Sequence, residues 1–282
     1  MGITDCHVHV NPLWEMRPDA VRLLEGLDAE TERVVREPAQ LLARMDAAGL
    51  ERAVLINYVA PEVIGYTEAT NEFVSRYVRA DPERLIAAGG IRPDHPEPAR
   101  EVAHLARDLG IRAIKLHPPH QLFRPNAYVD GERTALRELY AACARERLPV
   151  IFHTGTSVFP RARNRFGDPM LIEDVAVDFP ELTIVLAHGG RPLWTETAVF
   201  LARRFPNVWL EVSGVPPGAL LDYFPKLPKL AEKVLYGSDW PGPGVKELGA
   251  NVRRFRELPL PPELQRRILE ENPERVFPRR TP

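Results

Sequence analysis

The 282-residue sequence predicts an α/β fold, a (β/α)8 TIM barrel, on three observations. Eight short apolar runs alternate with amphipathic stretches, the pattern of βα units around a parallel sheet. A proline follows each run (Pro12, Pro61, Pro93, Pro118, Pro160, Pro192, Pro216 and Pro241), where a ladder that needs backbone N–H donors must stop. The 230 residues from His9 to Asp239 divide into seven steps of about 33, close to one βα unit. A doubly wound sheet is the competing arrangement, and the even spacing favours closure.

Strands are predicted at 3–10, 52–57, 85–91, 113–117, 149–153, 183–187, 208–213 and 233–238. Between them, stretches such as 97–109, 132–147 and 193–204 repeat apolar residues at three and four, as helices do. Three connections exceed a turn. Residues 11–38 include a helical pattern at 18–27; 154–169 carry Arg161, Arg163 and Arg165; 240–247 are rich in Gly and Pro. No linker or low-complexity segment divides the chain, so one domain is expected over 1–282. Long loops after the strands are where such barrels keep specificity.

Composition narrows the function. With 44% apolar and 27% charged residues the chain can bury a large core, which argues against disorder. A net charge of −2 lacks the basic excess of nucleic-acid binders. No run reaches the ~18 apolar residues of a membrane span. The first ten residues, MGITDCHVHV, match neither a signal peptide nor a myristoylation site. Two cysteines make no disulfide framework, so a cytoplasmic chain acting on a small molecule is expected, with no nucleic-acid or membrane partner. A homo-oligomer is compatible with this. Arginine outnumbers lysine 32 to 5, and Lys115 is the only lysine before Lys226, which invites a specific explanation for it.

Chemistry gathers at the strand ends. In Asp5-Cys6-His7-Val8-His9, alternation turns His7 and His9 to one face and Cys6, Val8 and Val10 to the other. Two imidazoles at i and i+2 on an inward face can grip one metal ion; the competing reading is a pair of core histidines with local partners. His153 ends Val150-Ile151-Phe152, and His188 ends Ile184-Val185-Leu186-Ala187 just before Gly189-Gly190. Tyr236-Gly237-Ser238-Asp239-Trp240 sets a carboxylate at the eighth strand's tip, although alone it is a turn with a capping Asp. Together, three or four imidazoles and one carboxylate suit Zn2+ or a similar divalent ion, with a coordination position left open. Of the other histidines, His104 sits in a helical pattern and His95 and His120 in loops, positions of solvated or capping residues.

These residues resemble the amidohydrolase superfamily, in the amidohydrolase-related branch that includes aminocarboxymuconate-semialdehyde decarboxylase and pyrone-dicarboxylate lactonase. The similarity runs from His7-x-His9 through His153, His188-Gly189-Gly190 and Gly237-Ser238-Asp239, with a weaker match at Asn272-Pro273-Glu274-Arg275-Val276-Phe277. The resemblance implies that His7, His9, His153 and Asp239 bind the metal and that His188 is the general acid/base. In other branches the sixth-strand His is itself a ligand. Asp239 can also serve as base for the attacking water.

Some amidohydrolases carry a carboxylated lysine on strand four that bridges two metals. Lys115 thus has three readings: binding a substrate carboxylate, carboxylation with a second metal, or pairing with a buried acid. His117 shares its strand face and lines the pocket or caps. Arg161, Arg163 and Arg165, if not merely solvated, suit a carboxylate-bearing substrate. Trp14, Trp194 and Trp240 are expected at the same mouth, placed to stack on a planar substrate ring, with core packing the competing reading for Trp194. The resulting expectation is a metal-dependent hydrolase using a metal-activated water on a small amide, lactone or ester. The alternative is a non-hydrolytic decarboxylase on the same ligands. A catalytically silent metal protein fits least, because structural zinc sites close their shells, often with thiolates, and neither cysteine is expected to point inward.

Overall fold

A computed structural model describes residues 2–24, 28–242, 245 and 247–279. Eight parallel strands form one sheet in sequence order: β1 Ile3–His9, β2 Leu50–Ile56, β3 Leu85–Gly90, β4 Ala113–Leu116, β5 Val150–His153, β6 Ile184–Ala187, β7 Val208–Glu211 and β8 Val234–Leu235. The ring closes where β1 meets the segment after β8: Cys6 N–H donates to Tyr236 O (3.0 Å), Asp239 N–H to His7 O (2.9 Å) and His9 N–H to Trp240 O (2.7 Å). The TIM barrel is therefore the observed fold. The expected helices appear trimmed at their ends, as Pro98–Arg107, Ala135–Arg145 and Thr195–Arg204.

Two strands, β7 and β8, fall short of the prediction by more than one residue because side-chain carboxylates capture ladder donors. Ser213 N–H donates to Glu211 Oε1 (2.5 Å), ending β7 early. Ser238 N–H donates to Asp5 Oδ1 (2.9 Å), while Lys233 ends the preceding 3-10 turn, so β8 keeps two residues. The helix expected at 18–27 is Pro18–Val21 followed by a 3-10 turn, Arg22–Leu24; 25–27 lie outside the described residues.

Alternation along each strand sorts the core into two layers. Outward residues such as Val8, Leu55, Ile114, Phe152 and Leu186 pack with Leu41, Met45, Leu105, Leu139 and Leu201 of the helices. Inward residues Val54, Ile86, Ala113, Ile151, Val185, Trp209 and Leu235 fill the barrel, with Val276 and Phe277 closing its N-terminal end. Two residues further along, the inward face turns polar: Ala113 is followed by Lys115, Ile151 by His153 and Trp209 by Glu211, all buried. The same period that builds the apolar floor thus delivers the functional layer above it.

Cys6 corrects the expectation from strict alternation. It packs inside the barrel with Val54 and Ile56, because the β1–β2 register shifts between Asp5 and Val8 and lets both Cys6 and His7 face in.

At the closed end, fully buried Arg52 donates to Glu274 (2.7 Å) and to Phe277 O (2.8 Å), fastening the C-terminal segment to β2. Arg52→Met is expected to lower unfolding stability by about 2 kcal/mol, since it leaves Phe277 O without its donor and Glu274 with Arg279 alone, at 3.2 Å. Arg52→Met with Glu274→Leu is expected to recover part of that loss. Denaturant unfolding of the three proteins measures both.

Candidate active site

The C-terminal end of the barrel opens into a cavity of about 220 Å³ lined by polar residues from β1, β4, β5 and the turns after β6 and β8, including His9, Lys115, His153, His188 and Asp239. Buried His7 lies against its wall, in contact with His9 and His188 (ring centroids 5.1 and 4.8 Å). His7, His9 and Asp239 offer ligand atoms within 4.8 Å of one another. Asp239 Oδ1 is 3.7 Å from His7 Nε2 and 3.3 Å from His9 Nε2. Gly237 permits this approach: a Cβ there would sit 2.7 Å from His7 Cβ.

Hydrogen bonds fix how these rings are protonated. His7 Nδ1 donates to Glu211 Oε2 (2.8 Å). His9 Nδ1 donates to Asn11 Oδ1 (2.9 Å), whose amide is oriented by donation from Nδ2 to Ile56 O and Asn57 Oδ1. Burial holds His7 well below the ordinary imidazole range, so its ring is neutral. Its Nε2 lone pair and the Asp239 carboxylate then face one another, with His9 Nε2, on the ring edge away from the Nδ1 bonded to Asn11, beside them. Burial alone would raise the Asp239 carboxyl, but the neighbouring histidines and the Arg191 guanidinium hold it at about 2.

This arrangement fits a divalent ion. Ligands about 2.1 Å from a tetrahedral ion stand about 3.4 Å apart, the spacing found here. His7 Nε2 and His153 Nε2 are buried without a hydrogen-bond partner among the described residues, a costly state that ligation relieves. Outer partners on both Nδ1 atoms are the usual support of ligating histidines. The second grouping, His7–His188–Glu211, is instead closed by hydrogen bonds. His188 Nδ1 donates to Ser213 Oγ (2.9 Å) and Ser213 O (3.2 Å), and Ser213 Oγ donates to Glu211 Oε2 (2.8 Å).

His153 lies outside the 4.8 Å group. Its ring is 4.7 Å from that of His188 and stacks on His117 at 3.8 Å. Burial lowers His117, His153 and His188 well below the imidazole range as well. His188 and Asp239 both hold positive φ (64° and 66°), conformations that non-glycine residues adopt at a cost and that recur at functional sites.

The amidohydrolase family model matches residues 4–279. The chain belongs to the amidohydrolase family. This amidohydrolase is similar to an uncharacterized TIM-barrel protein, Bb4693, from Bordetella bronchiseptica, at 27% identity and TM-score 0.75 over 97% of each chain. It shares its fold with a 2,6-dihydroxybenzoate decarboxylase from Rhizobium (18% identity, TM-score 0.64, 98% of each chain). A dihydroorotase from Campylobacter jejuni also shares it (17% identity, TM-score 0.60, 99% of this chain and 84% of that one). No curated protein matches the chain. No described helix is long and apolar enough to cross a membrane.

Several expected contacts of the amidohydrolase cavity lie elsewhere. Trp240 is fully buried in the strand–helix layer, bridged to Val8, and does not line the cavity; the backbone hydrogen bond to His9 draws it into the ladder. Arg161 pairs with Asp19 (2.9 Å) on the segment after β1, and the exposed Arg163 and Arg165 are likewise absent from the lining. Trp14 is exposed, packing on Phe73 beneath the Arg36 guanidinium. Lys115 and His117 do line the cavity. Burial lowers Lys115 to about 8 against the pull of Glu211 and Asp239, and its Nζ has no partner among the described residues.

Glu211, Ser213, Asn11 and Arg191 join the site without having been expected there. The clue to Glu211 was a carboxylate within the apolar run Val208-Trp209-Leu210-Glu211-Val212. His120, expected as a solvated loop residue, is 1% exposed and stacks on His117 at 3.5 Å, because a short helix, Pro118–Gln121, folds it back over the mouth. Glu211→Gln is expected to weaken metal affinity about 10- to 100-fold with the fold intact, because it removes the negative charge behind His7 and leaves one accepting oxygen to serve both His7 and Ser213. Metal titration of the apo-protein measures this.

Proposed function

We propose that the chain is a one-domain, cytoplasmic metal-dependent hydrolase acting on a small, carboxylate-bearing amide, lactone or ester. The convergence of lone pairs from His7, His9 and Asp239, with both imidazole Nδ1 atoms committed elsewhere, carries the reading. His153 completes the ligand set from the next wall. Zn2+ suits this mixture of N and O donors, and a second ion would require an added carboxyl on Lys115. A bound divalent ion supplies Lewis-acid polarisation of a carbonyl and acidifies water at neutral pH.

The remaining steps belong to the chain. His188, its Nδ1–H tied to Ser213, presents Nε2 to take the proton from water and return it to the leaving group. Asp239 is held ionised beside it, its Oδ2 4.0 Å from His188 Nδ1. Lys115 and Arg191 are the lysine and arginine among the lining residues, and Arg191 Nε is buried without a partner. They take over the carboxylate-binding role expected of Arg161.

Metal content per chain and turnover of a panel of lactones, esters, amides and aromatic acids, with and without chelator, test the proposal. Chelator-sensitive hydrolysis restored by Zn2+ is the expected result. Turnover unaffected by chelator in a protein without metal would overturn it. Carbon dioxide release without water incorporation would assign the decarboxylase chemistry instead.

A further inference from the structure

Away from the ion-binding cluster, the cavity wall carries a hydrogen-bonded chain of three side chains. Tyr58 follows β2, His120 belongs to the short helix after β4, and Ser157 lies in the loop after β5; all three line the cavity. Tyr58 Oη is 3.1 Å from His120 Nδ1, and His120 Nε2 is 2.7 Å from Ser157 Oγ. Stacking on His117 and an edge contact from Phe159 at 5.1 Å fix the plane of the His120 ring. Tyr58 and His120 are buried and Ser157 is half-buried.

The chain has a direction. A phenol gives up its O–H to an imidazole nitrogen far more readily than it accepts from one, because its lone pairs delocalise into the ring. Burial keeps the Tyr58 proton in place and holds His120 neutral, at about 3. A neutral imidazole has one donor and one acceptor, so Tyr58 O–H occupies Nδ1 and Nε2–H donates to Ser157 Oγ. The Phe159 N–H fills the second acceptor position of that oxygen, at 3.3 Å. Ser157 accepts twice, and among the described residues no acceptor takes its own hydroxyl hydrogen. Leu13, Met16, Ile64, Tyr66 and Phe159 form an apolar stretch of the same cavity.

We propose that Ser157, oriented by Tyr58 and His120, is a specificity-determining donor that selects molecules carrying a carbonyl or carboxylate oxygen on an apolar, ring-sized body. This deepens the functional reading by naming the substrate class; it rests on that reading's cavity and not on its metal. The opposite proton arrangement would make Ser157 a donor to His120 and a candidate nucleophile, so the two differ experimentally.

Long-range nitrogen–proton NMR of the purified protein reads the tautomer: His120 is expected protonated at Nε2, and mixed in Tyr58→Phe. Calorimetry then compares acetophenone with α-methylstyrene, which is close to it in shape but carries a methylene in place of the carbonyl oxygen. The preference for acetophenone is expected to fall about three- to tenfold in Ser157→Ala. It is expected to persist in chelator-treated protein, so that failure of the metal reading and failure of this one are distinguishable. An Nδ1-protonated His120, an unchanged preference in Ser157→Ala, or covalent labelling of Ser157 by a fluorophosphonate would overturn the proposal.

Discussion

Asp239→Asn is expected to lower turnover about a thousandfold or more and to leave the purified protein nearly free of metal. The substitution keeps the side chain's shape, and the backbone bond from Asp239 N–H to His7 O is untouched, so the barrel closes as before. What goes is the one negative charge facing two imidazole lone pairs at 3.3 and 3.7 Å. Losing the ion forfeits several kcal/mol of transition-state charge stabilisation, which sets the thousandfold scale. Metal analysis alongside steady-state kinetics checks both halves, and near-normal turnover in metal-replete Asp239→Asn would refute the ligand assignment.

The second large effect is expected at His188. In His188→Asn the amide retains a hydrogen-bonding group toward Ser213 but has no basic nitrogen to shuttle a proton. If His188 moves protons without ligating, kcat falls about a hundred- to ten-thousandfold while metal content stays at the parental level. Parallel loss of metal would move His188 into the ligand set. Full retention of kcat would remove it from the chemistry.

The barrel was legible because its signals are local and repeated. Each strand's apolar run and closing proline can be read in about ten residues, and eight repetitions leave little freedom of architecture. The gathering of His7, His9, His153, His188 and Asp239 at one end of the barrel was legible for a related reason, since ionisable residues at strand ends stand out against apolar runs. Contacts made by loops were not. Arg161 looked available in sequence but meets Asp19, a partner 142 positions away. Trp240 looked like a loop aromatic until the backbone bond to His9 drew it into the wall. Cys6 was misassigned because alternation assumes an unbroken register, and an irregularity in β1 leaves no compositional mark. His120 became visible only once the turn after β4 carried it back over the opening.

Glu211 braces His7 directly and His188 through Ser213, so one carboxylate serves two roles that chemistry would otherwise keep apart. Damage at either histidine is transmitted to the other, and substitutions around this carboxylate will combine non-additively. The Tyr58–His120–Ser157 chain makes no hydrogen bond to Glu211 or Ser213 among the described residues, so substrate preference can be altered there without disturbing that brace.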